Sequence, residues 1–580
     1  MHRFRLWAPK AGKASVQIAG QKYPLQKTAG GWWQADVEAA NPGTDYAYFL
    51  NDEELALPDP RSLWQPNGIH GTSRVFDHKA FHWNDAEWQA PPLSSAIVYE
   101  LHIGTFTPEG TFDAAQTKLD ALRELGVTHV EIMPVNSFPG IQGWGYDGVD
   151  LFAPHEPYGG PEALKRLVNA CHEKGLAVIL DVVYNHFGPD GNYLGKFAPY
   201  LTDLHHTPWG DAVNLEDSDS YEVRRFFCDN ALMWLRDYHF DGLRLDAVHA
   251  YMDRSAINFM EQIASEVHEL KGYTGRNYVV IAESDLNDPQ VVTAPEAGGY
   301  GMDAQWSDDF HHALFTLLHQ EQGKGYYDDF GSLEKLVKSL TQIFVYDGEY
   351  SKYRQRHHGR PVAGLSAHHF IGFIQNHDQV GNRATGDRVE QIIGFDRAKV
   401  AAGVVLTAPF IPMIYQGEEY AASTPFQYFA DHEDPETAKA VSAGRKKEFA
   451  AFGWDEDVIP DPEDPETFKR SKLNWDEVYR DRHREMLDWF KQMIHLRRSS
   501  PSLNDGDLSH AKVRYDAEKC WLVMDRGRMQ ILVNLGPNSV DLEVPARYTL
   551  AACSRPAVVP SAGGITLPAD TFAVLSGEEI

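Results

Sequence analysis

Three short apolar runs in the chain each end on a carboxyl group. GLRLD ends at Asp246, VVIAE at Glu283 and FIQNHD at Asp378. Runs of this kind are typical of buried parallel strands, so each carboxyl group is predicted to lie where a strand passes into a loop. The carboxyl ends of the strands are where a parallel barrel places its chemistry. Two or three carboxyl groups there can cleave a glycosidic bond by acid–base or covalent catalysis.

The neighbours of these acids argue against the simpler interpretation, in which a strand-end acid only caps the next helix. Arg244 lies two residues before Asp246, and residues two apart on a strand face the same side. A fixed guanidinium keeps an aspartate ionised, which suits a nucleophile. Glu283 follows four apolar or small residues, and burial raises the pKa of a glutamate, which suits a proton donor. Asp378 could bind sugar hydroxyls and keep Glu283 protonated by like-charge repulsion.

Alternating strands and helices surround these acids from about residue 96. The eight candidate strands are residues 96–103, 128–135, 177–186, 239–246, 278–284, 301–307, 370–378 and 410–419. Such alternation predicts parallel pairing, and eight units predict a closed (β/α)8 TIM barrel in the α/β class. A covalent, retaining route needs the Asp246 and Glu283 carboxyls about 5–5.5 Å apart. Neighbouring strands, about 4.8 Å apart, permit that separation.

The regions on either side of the barrel have a different pattern. Residues 1–90 contain short alternating runs separated by Gly and Pro turns, which predicts an N-terminal β-sandwich resembling a glycan-binding module. Residues 91–500 form the predicted catalytic barrel, and residues 501–580 return to short strands, which predicts a C-terminal β-sandwich. The acidic, proline-rich stretch near 431–475 does not fit the barrel repeat. We interpret it as an excursion after the eighth strand.

The composition narrows the class of partner. The 580 residues carry a formal net charge of −30, with a sequence pI of about 5.2, which argues against nucleic acid or an anionic membrane as partner. The four cysteines form no C-x-x-C pair, so neither a zinc site nor a disulfide framework is expected. The N-terminus lacks the apolar segment of a signal peptide, and we expect a cytoplasmic location.

Four sequence blocks carry a resemblance to a known family. DVVYNH, GLRLDAVH, VIAES and FIQNHDQ, in this order, resemble the four signature regions of the α-amylase superfamily, glycoside hydrolase family 13. The resemblance spans the whole predicted barrel. It implies a retaining glycoside hydrolase in which Asp246 is the nucleophile, Glu283 the general acid/base and Asp378 the transition-state stabiliser.

The same resemblance implies a set of substrate-binding residues. These are Tyr146 (in WGYDGVDLFAP), His186, Arg244, His249, Asp308, Asp309, His311, His377, Gln379 and Asn382. Two simpler interpretations remain open: a lone aromatic such as Tyr146 is typical of a packing residue, and DDFHH at 308–312 would serve equally well to cap a helix. No cofactor is expected. Asn185 would suit a calcium ion of the kind common in amylases, but no aspartate cluster surrounds it, and we expect no obligatory metal.

Within the superfamily, several stretches favour one activity. They are YELHIGTFTPEGTF, AESDLNDP, DAQWSDDFHHAL, NHDQVGNR and YQGEEYAASTPFQYFADHED. Together they resemble members that cleave the α-1,4 bond next to the trehalose end of maltooligosyl trehalose and release trehalose. Glycogen branching enzymes and isoamylase-type debranching enzymes, which act on α-1,6 linkages, are the alternative. A non-catalytic glucan-binding barrel is a more distant alternative. Such a protein would have lost catalytic carboxyls, whereas this chain keeps all three.

Overall fold

Eight parallel strands close into a barrel in the computed structural model, which describes residues 1–319, 325–451, 458–545, 547–555, 558 and 563–577. The strands are β1 Val98–Leu101, β2 His129–Ile132, β3 Ala177–Val182, β4 Gly242–Leu245, β5 Val279–Ala282, β6 Ala304–Trp306, β7 Phe370–Gly372 and β8 Ile411–Tyr415. Consecutive strands are neighbours, and β8 pairs with β1 to close the ring. The predicted TIM barrel is confirmed.

The barrel strands are shorter than the apolar runs that predicted them. β4 and β5 each end one residue before their carboxyl group, so Asp246 and Glu283 lie at the rim as predicted. β7 ends at Gly372, well before Asp378, which instead lies in the short helix His377–Gly381. Asn376 caps this helix, because its side-chain oxygen accepts a hydrogen bond from the backbone N–H of Gln379 at 2.8 Å.

Helices connect the strands and cover the barrel. Their bounds are Ile103–Phe106, Phe112–Gln116, Leu119–Leu125, Gly160–Glu173, Leu194–Phe197, Ser220–Asp237, Phe259–Thr274, Asp308–His319, Leu333–Gln342, His377–Gly381, Val389–Ile393, Phe395–Thr407, Pro435–Ala451, Pro465–Arg470 and Asp481–Ser499. The helix Gly160–Glu173 shows why they form: a proline occupies its first turn, and Leu164, Leu167 and Val168 make one buried stripe against the barrel. Each helix in the described part of the chain is too short or too polar to cross a membrane.

Antiparallel sheets flank the barrel at both ends of the chain. The N-terminal strands are His2–Trp7, Ala14–Ile18, Gln21–Pro24, Gln26–Lys27, Trp32–Val37, Asp45–Leu50 and Ser73–Arg74, in two sheets. The C-terminal strands are Ala511–Asp516, Trp521–Arg526, Met529–Asn534, Val540–Glu543, Thr549–Cys553, Gly564–Leu567 and Thr571–Ser576, again in two sheets. Smaller hairpins pair Asn136–Ser137 with Asp150–Pro154, Leu201–Thr207 with Gly210–Val213, and Asp347–Ser351 with Arg356–Gly359.

A buried cluster of charged side chains connects the segment before β1 to the N-terminal end of the barrel strands. The imidazole of His172 contacts Asp85 Oδ2 at 2.9 Å through Nδ1 and Asp241 Oδ2 at 3.0 Å through Nε2. Arg276 also contacts Asp85, at 3.0 Å. Trp88 stacks on His172 and donates its indole N–H to Asp241 at 2.8 Å.

Two buried arginines fix the segment that leads into β8, one from the last barrel helix and one from the C-terminal sheet. Arg497, on the last barrel helix, donates to the backbone oxygens of Leu406, Ala408 and Phe410. Arg526, at the end of a C-terminal strand, donates to the backbone oxygen of Thr407 at 2.8 Å and to that of Leu503 at 3.3 Å. The segment that leads into β8 is therefore fixed from two sides by charged side chains that bond to backbone carbonyls.

Candidate active site

One guanidinium joins the two acids that were predicted to carry out the reaction. Arg244 Nη1 donates to Asp246 Oδ1 at 2.9 Å, and Arg244 Nη2 lies 3.5 Å from Glu283 Oε2. The side chain of Arg244 is fully buried, and its charge sits over the ring of Trp306, 4.1 Å from the centroid. Because the guanidinium is planar and fixed, it holds both carboxyl groups at one level of the rim.

The backbone after β4 adds a second contact between these acids. Ala247 has a left-handed backbone conformation, with φ of 40°. Its N–H donates to Glu283 Oε2 at 2.5 Å. A left-handed conformation at a residue with a side chain is energetically unfavourable, and such conformations occur often at functional sites. The turn that follows Asp246 therefore also orients Glu283.

Asp181, at the end of β3, connects Arg244 to the predicted sugar platform. Arg244 Nη1 donates to Asp181 Oδ2 at 2.7 Å, and the hydroxyl of Tyr146 donates to the same oxygen at 2.7 Å. The Tyr146 hydroxyl also lies 2.7 Å from His377 Nε2, and the two rings stack with centroids 5.1 Å apart. The sequence placed Asp181 at the rim, but it did not indicate this central role.

Glu100 is a site residue that the sequence analysis missed. It lies on β1, buried, and its carboxylate accepts hydrogen bonds from His377 Nδ1 and, at 3.0 Å, from the His377 backbone N–H. Glu131, its cross-strand partner on β2, is also buried. The sequence does show a charged residue, Glu100, inside the apolar run AIVYELHI. No local pattern, however, identifies His377 as the partner of Glu100.

Burial and charge shift the protonation of several of these groups. Burial raises the pKa of Glu283 above its ordinary value, the charges on Asp246 and Asp378 raise it further, and Arg244 opposes them. Burial also raises the pKa of Asp181 to about 7. Burial lowers the pKa of His377, but the carboxylates of Asp378 and Glu100 outweigh it and raise the value to about 9. His377 is therefore positively charged at neutral pH.

Asp378 is the most accessible of the three predicted catalytic acids. Its side chain is 40% exposed, compared with 11% for Asp246 and 15% for Glu283. His377 Nε2 lies 3.5 Å from Asp378 Oδ1, and the side-chain amide of Asn382 donates to the same oxygen at 3.1 Å. Both contacts are to Oδ1, so neither of them occupies the second carboxylate oxygen.

The other predicted binding residues divide into two groups. His186 is buried and stacks on the exposed Trp209, with ring centroids 4.7 Å apart. Burial raises the pKa of Asp308, and the charge of Glu283 raises it further. His249 lowers the pKa of Glu283, so both Asp308 and His249 lie near Glu283. Gln379 follows Asp378 and accepts a hydrogen bond from the Tyr327 hydroxyl at 3.4 Å.

Asp309 and His311 lie deeper. The buried Asp309 carboxylate accepts hydrogen bonds from the backbone N–H groups of Val345 and Tyr346 at 2.6 and 2.9 Å, and from Asn287 at 2.8 Å. His311 is buried and packs between the rings of Phe315 and Phe373. These contacts favour a structural role for both residues over the sugar contact that was predicted.

Asn185, the residue that the sequence singled out for a calcium ion, is buried. Both polar atoms of the Asn185 side chain are buried without a hydrogen-bond partner, as one ligand of a cation would be. A calcium ion needs several oxygen ligands, and the described residues contain no group of three or more His, Cys, Asp or Glu side chains arranged to hold a metal.

Comparison with known proteins decides the family. The family model for the α-amylase catalytic domain matches residues 75–203 and 213–506, and a domain of unknown function, DUF3459, matches residues 506–574. A malto-oligosyltrehalose trehalohydrolase from Rhizobium sp. (strain M-11) is 47% identical over 559 residues, covering 95% of this chain and 94% of its own length. One from Mycobacterium tuberculosis is 45% identical over 556 residues, covering 95% of both. This chain belongs to the malto-oligosyltrehalose trehalohydrolase family.

The fold also matches a solved structure over nearly the whole chain. A crystal structure from Salmonella typhimurium, named for an alpha amylase, has a TM-score of 0.91 and 37% sequence identity, and covers 99% of this chain and 97% of its own. The predicted resemblance to the α-amylase superfamily is confirmed, and so is the enzyme class, glycoside hydrolase. Residues 204–212, which the α-amylase model leaves out, form the tip of the hairpin that carries Trp209 against His186.

Proposed function

We propose that the protein hydrolyses the α-1,4-glucosidic bond next to the trehalose end of maltooligosyl trehalose, with retention of configuration. The observation that carries the chemistry is the single Arg244 guanidinium that contacts both Asp246 and Glu283. The observation that favours the substrate is the match over 95% of the chain to trehalohydrolases at 45–47% identity. We propose the cytoplasm as its location and a glucan, rather than nucleic acid or membrane, as its partner.

The reaction starts with the two strand-end acids in different protonation states. Glu283, whose pKa is raised, donates its proton to the glycosidic oxygen while Asp246 attacks the anomeric carbon. The bond to trehalose breaks, trehalose leaves with the proton, and the maltooligosyl unit remains as an ester of Asp246. The ionised Glu283 then takes a proton from water, which attacks the same carbon and releases the maltooligosaccharide.

The surrounding residues have supporting roles in this proposal. Arg244 stabilises the carboxylate of Asp246 until it attacks, and its charge limits how far the pKa of Glu283 rises. The partly exposed carboxylate of Asp378 binds sugar hydroxyls, most strongly when positive charge develops on the ring. The ring of Tyr146 stacks on the sugar whose bond is cleaved, and the Tyr146 hydroxyl is held by Asp181 and His377.

A product assay tests the proposal against its main alternative. The protein is incubated separately with maltooligosyl trehalose and with a branched α-glucan, and free trehalose, released chains and new reducing ends are measured. We expect free trehalose from the first substrate, with an initial α-anomer on the released maltooligosaccharide by NMR. Debranching or branch transfer without trehalose release would identify an enzyme acting on α-1,6 linkages instead.

The non-catalytic alternative is tested by a single substitution. Asp246→Asn keeps the size of the side chain but removes the nucleophile, and we expect at least about a 10³-fold loss of kcat. Asp120→Asn, on an exposed helix of the barrel, is a matched control and should leave kcat unchanged. Equal turnover by the Asp246 variant and the wild type would remove Asp246 from the reaction.

A further inference from the structure

The excursion after β8 makes a direct contact with the active-site helix. Arg445, on the helix Pro435–Ala451, donates from Nη1 to Asn382 Oδ1 at 3.2 Å and from Nη2 to the backbone oxygen of Gly381. Gly381 ends the short helix that contains Asp378, and Asn382 follows it. The excursion therefore reaches the helix that presents one of the three catalytic acids.

The contact fixes the orientation of an amide. A guanidinium has only donors, so Arg445 can bond to Asn382 only through the amide oxygen. With its oxygen held there, the amide must direct its NH2 group the other way, and Asn382 Nδ2 lies 3.1 Å from Asp378 Oδ1. A carboxylate accepts from an NH2 group but is repelled by an amide oxygen. Arg445 thus selects the one orientation of Asn382 that supports Asp378.

The position of Arg445 is itself held by the surrounding structure. Its guanidinium lies over the ring of Tyr428 at 5.0 Å and over that of Phe449, one helical turn away, at 4.5 Å. At the start of the helix, the backbone N–H groups of Glu433 and Asp434 both donate to Asp190 Oδ2 at 2.9 Å. The helix is thus anchored to the loop after β3, and the arginine has a defined place from which to act.

We propose that Arg445 is a positioning residue for the hydrolysis, which acts through Asn382 to hold Asp378 in place for the sugar hydroxyls. The inference rests on the proposed function, because it assigns Asp378 its role in the reaction. It also gives the excursion a function: it supplies a cation from outside the barrel repeat to the rim after β7. Arg445 does not touch the reacting atoms and is not a catalytic residue.

The first test replaces the guanidinium and measures kcat, KM and melting temperature with maltooligosyl trehalose. We expect Arg445→Met to lower kcat roughly tenfold, as loss of one well-placed hydrogen bond does, with little change in melting temperature. Lys439→Met removes the same charge from an exposed position of the same helix and should leave kcat unchanged. Arg445→Lys keeps the charge but not the fork of donors, and we expect an intermediate kcat.

A double-mutant cycle separates this role from a purely structural one. If Arg445 acts through Asn382, adding Asn382→Ala to Arg445→Met should lower kcat no further than the stronger single substitution does. Two losses that multiply would overturn the proposal, since Arg445 would then act independently of the amide. An unchanged kcat in Arg445→Met would overturn it as well.

A third variant keeps the inference testable if Arg445→Met fails to fold. Asn382→Asp retains Arg445 and gives it a carboxylate partner, but places a negative charge beside Asp378. We expect a lower kcat than in Asn382→Ala, and a higher kcat would contradict the proposal. The wild-type assay separates failure of the proposed function from failure of the role of Arg445. If the wild type releases no trehalose, the proposed function is rejected. If the wild type releases trehalose and the variants are unaffected, only the role of Arg445 is rejected.

Discussion

Arg244 Nη1 lies 2.9 Å from Asp246 Oδ1, and only Leu245, the last residue of β4, separates the two residues in the chain. The other terminal nitrogen of this guanidinium lies 3.5 Å from the carboxyl group of Glu283, which directly follows β5. One buried cation therefore serves two acids with opposite tasks, one that must attack as an anion and one that must give up a proton. Burial and the charges of Asp246 and Asp378 raise the pKa of Glu283, and this effect can be tested.

The proton donor can be tested with a substrate that needs no proton. Glu283→Gln should lower kcat on maltooligosyl trehalose about 10³-fold, since general acid–base catalysis contributes about 10²–10⁴-fold. With an α-glucosyl fluoride, whose leaving group departs without protonation, formation of the glycosyl-enzyme should be nearly as fast as in the wild type. Pre-steady-state release of fluoride measures this step. Glu124→Gln, on an exposed helix surface, is the control. Equal losses on both substrates would rule out an acid role for Glu283.

The pH dependence of kcat/KM should reflect the raised pKa of Glu283. Because this group must be protonated to act, activity should be lost as pH rises through its pKa. Burial is the largest cause of the shift, and the negative charge of Asp378 contributes to it. In Asp378→Asn, the remaining activity should therefore fall at a lower pH than in the wild type. A basic limb that stays in place, or moves to higher pH, would show that Asp378 does not act on this proton.

The charge cluster beneath the barrel should make stability depend on pH. Burial lowers the pKa of His172, but Asp241 and Asp85 outweigh it, so the folded-state pKa is raised above the ordinary 6.5. The stabilisation is then complete below about pH 6 and is lost as pH rises through the folded-state pKa. His172→Gln should reduce the free energy of unfolding by about 3 kcal/mol at low pH and by less at high pH. Denaturant titrations across this range measure the difference, and a constant difference would contradict the prediction.

The C-terminal sheet should stabilise the barrel through Arg526. Arg526→Met would leave the backbone oxygens of Thr407 and Leu503 buried without this donor, which costs about 2–3 kcal/mol. Arg528→Met, two residues later and exposed, should cost almost nothing. Thermal and denaturant unfolding compare the two variants. Similar stabilities would mean that water replaces the guanidinium and that this contact does not hold the sheet to the barrel.

Local patterns predicted the fold because each barrel strand lies within a run of mostly apolar residues. They also placed Asp246 and Glu283 correctly at the rim, one residue beyond their strands. Asp378 was predicted at a strand end, but it lies in a helix, because the run FIGFIQ leaves the sheet after Gly372. An apolar run indicates burial and does not by itself show where the hydrogen-bonded pairing stops.

Contacts between distant segments could not be predicted in the same way. Asp309 was assigned to the substrate with the rest of the segment DDFHH, by family resemblance. The carboxylates of Asp308 and Asp309 nevertheless face different surroundings, as successive positions on a helix do. Arg445 lies in a stretch whose composition indicated only that it leaves the barrel repeat. Its partner, Asn382, is far away in the chain. Such partners depend on how whole elements pack together, which the pattern of a single segment does not contain.

The pairing of Glu100 with His377 has a consequence for synthesis. Glu100 lies on the first strand of the barrel and His377 follows the seventh, and the eighth strand lies between them in the closed ring. A nascent chain therefore cannot assemble the site until nearly all of the barrel has left the ribosome. Until then the acids are present but not arranged, so a partly made enzyme should be inert towards the glucans around it. Activity would appear in a single step when the ring closes.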